Sequence, residues 1–563
     1  MKEESIPPRL LETLSTFGEL LRYLRRRAGL SQTDLSIAVG YSDAQISRLE
    51  KNLRLPDMAN IHARFVPALR LQREPAAVER LLQLAAAARR QKADEEATLA
   101  GSGLRRSIAV LPFWNLGADR DNDYLCDGLA DELIGALTKI RRLLVIARSS
   151  AFAFKGMDLD AREIGRRLNV HTILEGTVKK AGDRLRVSVR LIDAANGFQL
   201  WSERFDRGMG DLFVLQDDVT LAVISQLKVE LLDWEKLALL NRQPGNLPAY
   251  HLYLKGRYYR AQRPQGIAKA IEYFERSTDE DPRSSLAHAG LADCYATLGS
   301  WENGTLPPVQ AMTKAKAAAT KALELDGRLA QAHATLAYRS THHDWDWDTA
   351  ELQYKRAIEL NPNYAVSYQG YSRYLTAVGR TEESLVASKR CLELDPLDLV
   401  INIHMAWHHH FARQFDEAVE QCWKTTELHP NSFWPPYFLA LAHQQQGRTA
   451  DATAEFRKAI ERSGNVTFTS AGLGHLCGMA GDHAEACRIF EDLQERSQRT
   501  YVPAYDLALV CVGLGWTDQA FEWLGKAHDE RSGWLTYLKV EPRLDSLRSD
   551  PRFAAMLKRC RLL

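Results

Sequence analysis

No apolar run in the 563 residues approaches the roughly 18 needed to cross a bilayer, so no membrane partner is expected. The start, MKEESIPPRL, lacks the apolar centre of a signal peptide, which points to the cytoplasm. The eight cysteines are scattered without a C-x-x-C pair, as reduced thiols rather than a disulfide framework or thiolate metal site. Catalytic motifs are missing too. Gly525-Lys526 has neither the earlier glycine nor the following Ser/Thr of a phosphate loop, and no kinase series, G-x-S-x-G elbow or zinc-protease helix occurs. Nor is there a second α/β domain large enough for a cyclase. No enzyme activity, catalytic residue, metal or cofactor is therefore expected. Net charge is also scarce, at +1, but this excludes little because the charge is uneven.

From Leu20 to Pro56, seven cations (Arg22, Arg25, Arg26, Arg27, Arg48, Lys51, Arg54) face three acids (Asp34, Asp43, Glu50), a local footprint for phosphate. The same stretch reads as two short helices around a tight turn. Ser31 caps the first, Gln32 to Val39, and Gly40 closes it; Ser42 caps the second, which ends near Lys51. Ile46, Leu49 and Leu53 recur at helical spacing and point to a core, leaving Ala44, Ser47, Arg48 and Lys51 on the other side. A preceding helix spans Phe17 to Ala28. Ala76 to Gln91 is a further helix, either a support or a dimer seam, and 92–104 is a polar linker.

The pattern LRxxR…GLSQxxL…G…ISRLEKxxRxP, over about Phe17 to Leu69, resembles the Cro/repressor (XRE-type) helix-turn-helix family. The resemblance implies an all-helical domain whose third helix reads base edges. By position, Gln32 would grip a phosphate, Asp43, Ala44, Ser47 and Arg48 would face bases, and Ser42, Lys51 and Arg54 would hold the backbone. Arg25 and Glu50 would form a partly buried salt bridge between helices. Asp43 is awkward at the groove unless it accepts from a cytosine amine.

From about 105 to 235 the periodicity is mixed. Buried strands are read at Ser107–Phe113 and Leu143–Arg148, helices at Tyr124–Ile140, Ala161–Leu168 and Leu212–Leu227, and an antiparallel meander at HTILEGTVKK, RLRVSVRLID and FQLWSERFD. Leu185, Val187, Val189 and Leu191 share one face of its middle strand. Arg184, Arg186 and Arg190 take the other, as a solvated row or, less simply, an anion site. Asp119, Asp121 and Asp123 imitate a calcium loop, but Tyr124 stands at its glycine and Ala130 at its glutamate, so a solvated acidic loop is read instead. These fragments together are similar to the TolB-like amino-terminal domain family, whose members are joined to output modules and tetratricopeptide arrays.

The carboxy-terminal part repeats. Ala270, Ala315, Ala350, Ser384, Ala418, Ala452, Ala486 and Ala520 form one column whose last five steps are each 34 residues, with Gly379, Gly447, Gly481 and Gly515 in phase. That period predicts eight tetratricopeptide helix pairs over 246–563, ended by a segment that lacks the column. Their concave side would hold a protein or peptide partner, or the array would fold back on the middle domain or self-associate. His342-His343 and His408-His409-His410 tempt a metal reading, but adjacent helical residues point about 100° apart, so structural histidines are expected.

The expected architecture is thus multidomain: an all-α helix-turn-helix domain (1–91), a linker (92–104), an α/β middle domain with a mixed sheet (105–235) and an α-α superhelix (246–563). The expected function is sequence-specific binding of double-stranded DNA by a transcriptional regulator. It would act as a homodimer, because one short recognition helix reads too few bases. The other domains would sense a ligand or dock a protein. The competing expectation is an assembly scaffold built on the array, with a helix-turn-helix that no longer binds DNA.

Overall fold

The structure is a computed structural model that describes residues 16–41, 43–50, 61–72, 74–86, 106–117, 119, 122–229, 231, 246–262, 265–300, 306–464 and 466–563. The side chains of Asp43, Ala44, Gln45, Arg48 and His62 lie outside that description. The chain forms two compact units, Met1–Arg105 and Arg106–Leu563.

In the first unit, α1 (Phe17–Arg27), α2 (Gln32–Val39) and α3 (Asp43–Glu50) close around Phe17, Leu20, Leu21, Leu24, Leu35, Val39, Ile46 and Leu49. Thr16 and Ser31 start α1 and α2 as capping boxes with Glu19 and Asp34. Ile61, Phe65, Leu69 and residues of a helix over 75–86 complete the core.

The second unit begins with a sheet. Its strands are β1 (Arg106–Val110), β2 (Trp114–Asn115), β3 (Leu143–Val145), β4 (Thr172–Ala181), β5 (Arg184–Asp193) and β6 (Gln199–Gly208), in the order β3-β1-β4-β5-β6. The β3-β1-β4 pairs are parallel and β4-β5-β6 antiparallel, while β2 lies parallel to β4, so the sheet is mixed. Gly182 and Gly197 turn the meander with φ of 60° and 79°. The inward residues of β5 pack under α4 (Asp123–Leu137) and a later helix, Leu212–Gln226. Two short helices lie between: α5 (Arg148–Phe152) and α6 (Ala161–Leu168), the latter covering the other face near β1. Leu212–Gln226 is α7. The outward arginines of β5 are engaged on the surface: Arg184 and Arg186 on Asp206, and Arg190 on Glu175. Of the acidic loop, Asn115 Nδ2 donates to the Asp119 carbonyl and to Asp123; Asp121 lies outside the described residues.

Eight helix pairs follow, from Leu247–Arg260 with Ile267–Glu280 to Ala504–Gly513 with Thr517–Asp529. Every member of the small column sits on the second helix of its pair and is buried. A larger side chain there would force the two helices apart. Gly379 and its counterparts at 447, 481 and 515 follow the first helices at φ of 73–87°, a conformation that costs any other residue about 1–2 kcal/mol.

The array folds back on the middle domain. Asn361-Pro362-Asn363, after the third pair, meets the end of α4: Asn363 Nδ2 lies 2.8–3.1 Å from the carbonyl oxygens of Thr138, Ile140 and Leu143. One repeat later, Asp395 accepts from both hydroxyls and one backbone N–H of Ser149-Ser150, and the Ala147 N–H donates to the Leu394 carbonyl. The first helix of the array lies on α4, with Arg257 against Asp131.

The concave side carries the chain's own carboxy-terminal segment. Between the third and eighth pairs it holds residues 531–545. Tyr537 packs against Trp407 and Phe411, and Trp534 stacks on Tyr505 at 5.7 Å. Arg543 and Glu541 form an ion pair whose side chains are each 1% exposed, and Arg543 also reaches the Tyr437 hydroxyl. Arg413 holds Asp545 at 2.8 Å, and the last helix, Pro551–Arg559, ends where Trp347 Nε1 donates to the Cys560 carbonyl. Buried histidines line this seat. His408 bonds Ser372 and Thr376, while burial, more than nearby Arg373, drives its pKa well below the ordinary imidazole range.

Candidate nucleic-acid interface

A helix can present one face to DNA only if its other face is fixed. Three features fix α3. Ile46 and Leu49 are in the core. Gly18 of α1 lets the carbonyl end of α3 come close, since a Cβ there would lie 2.5 Å from the Glu50 oxygen. Finally, the Glu50 carboxylate, 1% exposed, gathers donors from two other helices.

Arg25 forks onto that carboxylate, its Nη2 at 3.1 Å from Oε2, while its Nη1 donates to the Leu30 carbonyl. Arg22 donates to the Glu50 carbonyl oxygen at 3.1 Å and approaches the carboxylate at 3.6 Å. Burial alone would raise the Glu50 pKa, but hydrogen bonds from Arg25 and Gln32 and the charges of Arg25 and Arg22 bring it below the ordinary glutamate value. The pair thus joins α1 to α3 as a charged, directional clamp.

Gln32 has a role that its sequence position did not announce. Its Nε2 donates to Glu50 Oε2 at 2.8 Å, so the amide that was to grip a phosphate is shared with the clamp. An amide nitrogen carries two hydrogens, which leaves one for a phosphate. Gly40, at φ 70° and ψ 36°, ends α2 and begins the turn, and Arg64 Nη1 caps that end by donating to the Val39 carbonyl. Neither Arg22 nor Arg64 stood out in the sequence, where cations near a basic helix look interchangeable.

Of the other candidate residues, Ser47 is half-buried on α3. Asp43, Ala44 and Arg48 are on α3 with side chains outside the description, and Ser42, Lys51 and Arg54 lie outside the described residues altogether. Ser36 is buried and donates to the Thr33 carbonyl, which satisfies its hydroxyl.

Residues 16–94 match a family profile described as a helix-turn-helix domain, and residues 104–221 match one described as the second domain of HilA/YgeH-like transcriptional regulators. The amino-terminal part of the chain is thus similar to domains found in transcriptional regulators. Over 234 residues the chain is 37% identical to a protein of Rhizobium meliloti (strain 1021) provisionally named adenylate cyclase 3, covering 41% of this chain and 39% of that one. Over 169 residues it is 30% identical to the transcriptional regulator HilA of Salmonella typhimurium, 30% of each chain. The matches thus span well under half of these relatives. Among solved structures, PilF of Pseudomonas aeruginosa is 20% identical with a TM-score of 0.29, over 38% of this chain and 95% of that one. YrrB, a TPR protein with an unusual peptide-binding site, is 18% identical with a TM-score of 0.26, over 35% and 96%. No helix among the described residues is long and apolar enough to cross a membrane.

Proposed function

We propose that the chain is a sequence-specific, double-stranded-DNA-binding regulator of the XRE type that works as a homodimer in the cytoplasm. In this reading Asp43, Ala44, Ser47 and Arg48 meet base edges. Gln32, Ser42, Lys51 and Arg54 hold phosphates, and Arg25 with Glu50 sets the angle of α3. The observation that carries it is the clamp: a buried carboxylate held by two arginines and a glutamine fixes one face of a short helix in a locally basic domain. A fold retained only for packing has no need of so directional a device.

The middle domain, with its TolB-like sequence pattern, and the array act as one control body without catalysis of their own. The filled concave side speaks against the competing scaffold reading, because a permanent docking groove would stand open. A protein partner of the array would either displace residues 531–545 or use the outer side.

Selection from random DNA followed by electrophoretic shift tests this. Binding should fall steeply with salt, and Arg48→Ala should relax one base position by about 1–3 kcal/mol while leaving the rest of the site intact. Binding that is absent, or equally strong at high salt, would overturn the reading.

A further inference from the structure

We propose that β6 is the seam through which two copies of this chain join, edge to edge and antiparallel about Phe205. Strand β6 ends the sheet, and its ten residues offer one unpaired edge among the described residues. Natural edges of that length are usually blunted by proline, a bulge or charged side chains, most often of one sign such as lysine. This one has no proline; its bulge, the extra Leu200 between the Leu191–Trp201 and Ile192–Gln199 pairs, lies outside residues 203–207, and the charges of that segment are of both signs.

Its sequence is self-complementary instead. Residues 203–207 read Glu-Arg-Phe-Asp-Arg. A two-fold axis through Phe205 sets Glu203 opposite Arg207, Arg204 opposite Asp206, and Phe205 opposite itself, with each ion pair formed twice. Residues that face one another across such an axis have the same parity, so they lie on the same face of the joined sheet, as strand pairing requires. Registers centred on Glu203 or Arg204 would put like charges together and fail.

Both faces suit the arrangement. On the helix side, Glu203, Phe205 and Arg207 line a groove with Asp218, Leu221 and Ala222 of α7, and Leu221 is 40% exposed there. Arg207 already holds Asp218 at 2.8 Å, which aims it along the groove. On the open side, Asp206 holds Arg184 and Arg186 and would take Arg204 of the other copy as a further partner. Glu203 and Arg204 are exposed and have no ion-pair partner among the described residues. The joined edge would extend each sheet by the other's strands, giving main-chain affinity with charge pairs that set the register.

The inference adds a surface to the dimer proposed above, and its test is read without DNA. The full chain is followed by sedimentation velocity from about 0.1 to 100 μM as wild type, Glu203→Arg, Arg207→Glu, and an equimolar mixture of the two variants. Wild type should dimerise. Each variant alone sets like charges against each other twice and should weaken association on the order of 30-fold. The mixture restores Arg–Glu at both positions and should recover the wild-type association. Circular dichroism checks each fold. Where Arg207→Glu does not fold, Arg204→Asp, which faces Asp206 of the other copy, should give the same loss. A wild type that stays monomeric at 100 μM, variants that dimerise as well as wild type, or a mixture that gains nothing would overturn the seam. DNA selection with the same samples separates the failures: a monomer that still selects a half-site refutes the seam and leaves DNA binding standing.

Discussion

The two compact units solve opposite problems with the same chemical device. Each has one deeply buried carboxylate–arginine pair. In the first unit Glu50 and Arg25 join two short helices, one of them the helix proposed to read DNA. In the second, Glu541 and Arg543 sit inside the superhelix and seal it with the chain's own tail. A buried ion pair contributes little net stability over well-packed apolar residues, but breaking one is costly and its geometry is specific. The contrast therefore teaches where specificity is needed: at the angle between two short helices, and at the seat of a segment inside a superhelix.

The largest break should come in the second unit. Glu541→Ala leaves the Arg543 guanidinium buried beside the Tyr437 hydroxyl and the Trp534 ring without its carboxylate, and should destabilise this unit by about 3–5 kcal/mol. Denaturant melts would show it, and limited proteolysis should cut first after residue 530. Replacing both residues with apolar ones of similar volume should restore much of the loss. Full stability in the single variant would mean that the tail is not held as described.

Glu50→Ala should cost the first unit less, about 2–3 kcal/mol, because Arg22 is 43% exposed and can turn to water while Arg25 keeps the Leu30 carbonyl. Specific DNA binding should fall by more than stability alone explains, since the clamp sets the helix angle. Binding that tracks only the folded fraction would reduce the clamp to a packing feature.

Acid should act on the same carboxylate more gently. The folded pKa of Glu50 lies below its ordinary value of 4.5, so its contribution is fully present above that pH and is lost as pH falls through the lower, folded value. Asp34, held down by its hydrogen bonds with Ser31, titrates in the same direction. Thermal melts between pH 6 and pH 3 should show the first unit losing stability below about pH 4.5, and Glu50→Gln should flatten that slope. An unchanged slope in Glu50→Gln would assign the acid sensitivity elsewhere.

What could be read from sequence divides along the same line. The repeat was legible because its constraint is local and periodic: one small residue per helix pair, and in four of the eight pairs a glycine at the same phase. The caps at Ser31 and Gly40 were legible for the same reason. The Gln32 bond to Glu50 was not, because it spans eighteen residues and two helices, and a glutamine at a helix start looks free. Nor was the seat of the tail. Tyr537 and Arg543 meet side chains from several repeats at once, and no spacing in the chain encodes that meeting. The docking of Asn363 on three carbonyl oxygens was equally hidden, since that position reads as ordinary loop punctuation.

The smallest effect tests the periodic part. Gly447 follows a first helix at φ 73°, and a Cβ built there meets nothing within 4 Å. Steric clash with neighbours is therefore absent, and the cost of Gly447→Ala is conformational, about 1 kcal/mol after the reduced entropy of the unfolded chain is counted. Gly18→Ala is the opposite case: its φ is helical, which favours alanine, yet the added carbon lies 2.5 Å from the Glu50 carbonyl. The same substitution should thus damage the first unit through space and the second through backbone torsion. Chemical denaturation of both variants distinguishes the two mechanisms, because only Gly18→Ala should also weaken DNA binding. If Gly447→Ala proved neutral, the turn would tolerate a left-handed alanine and the phase of the glycines would owe less to torsion than to the space between repeats.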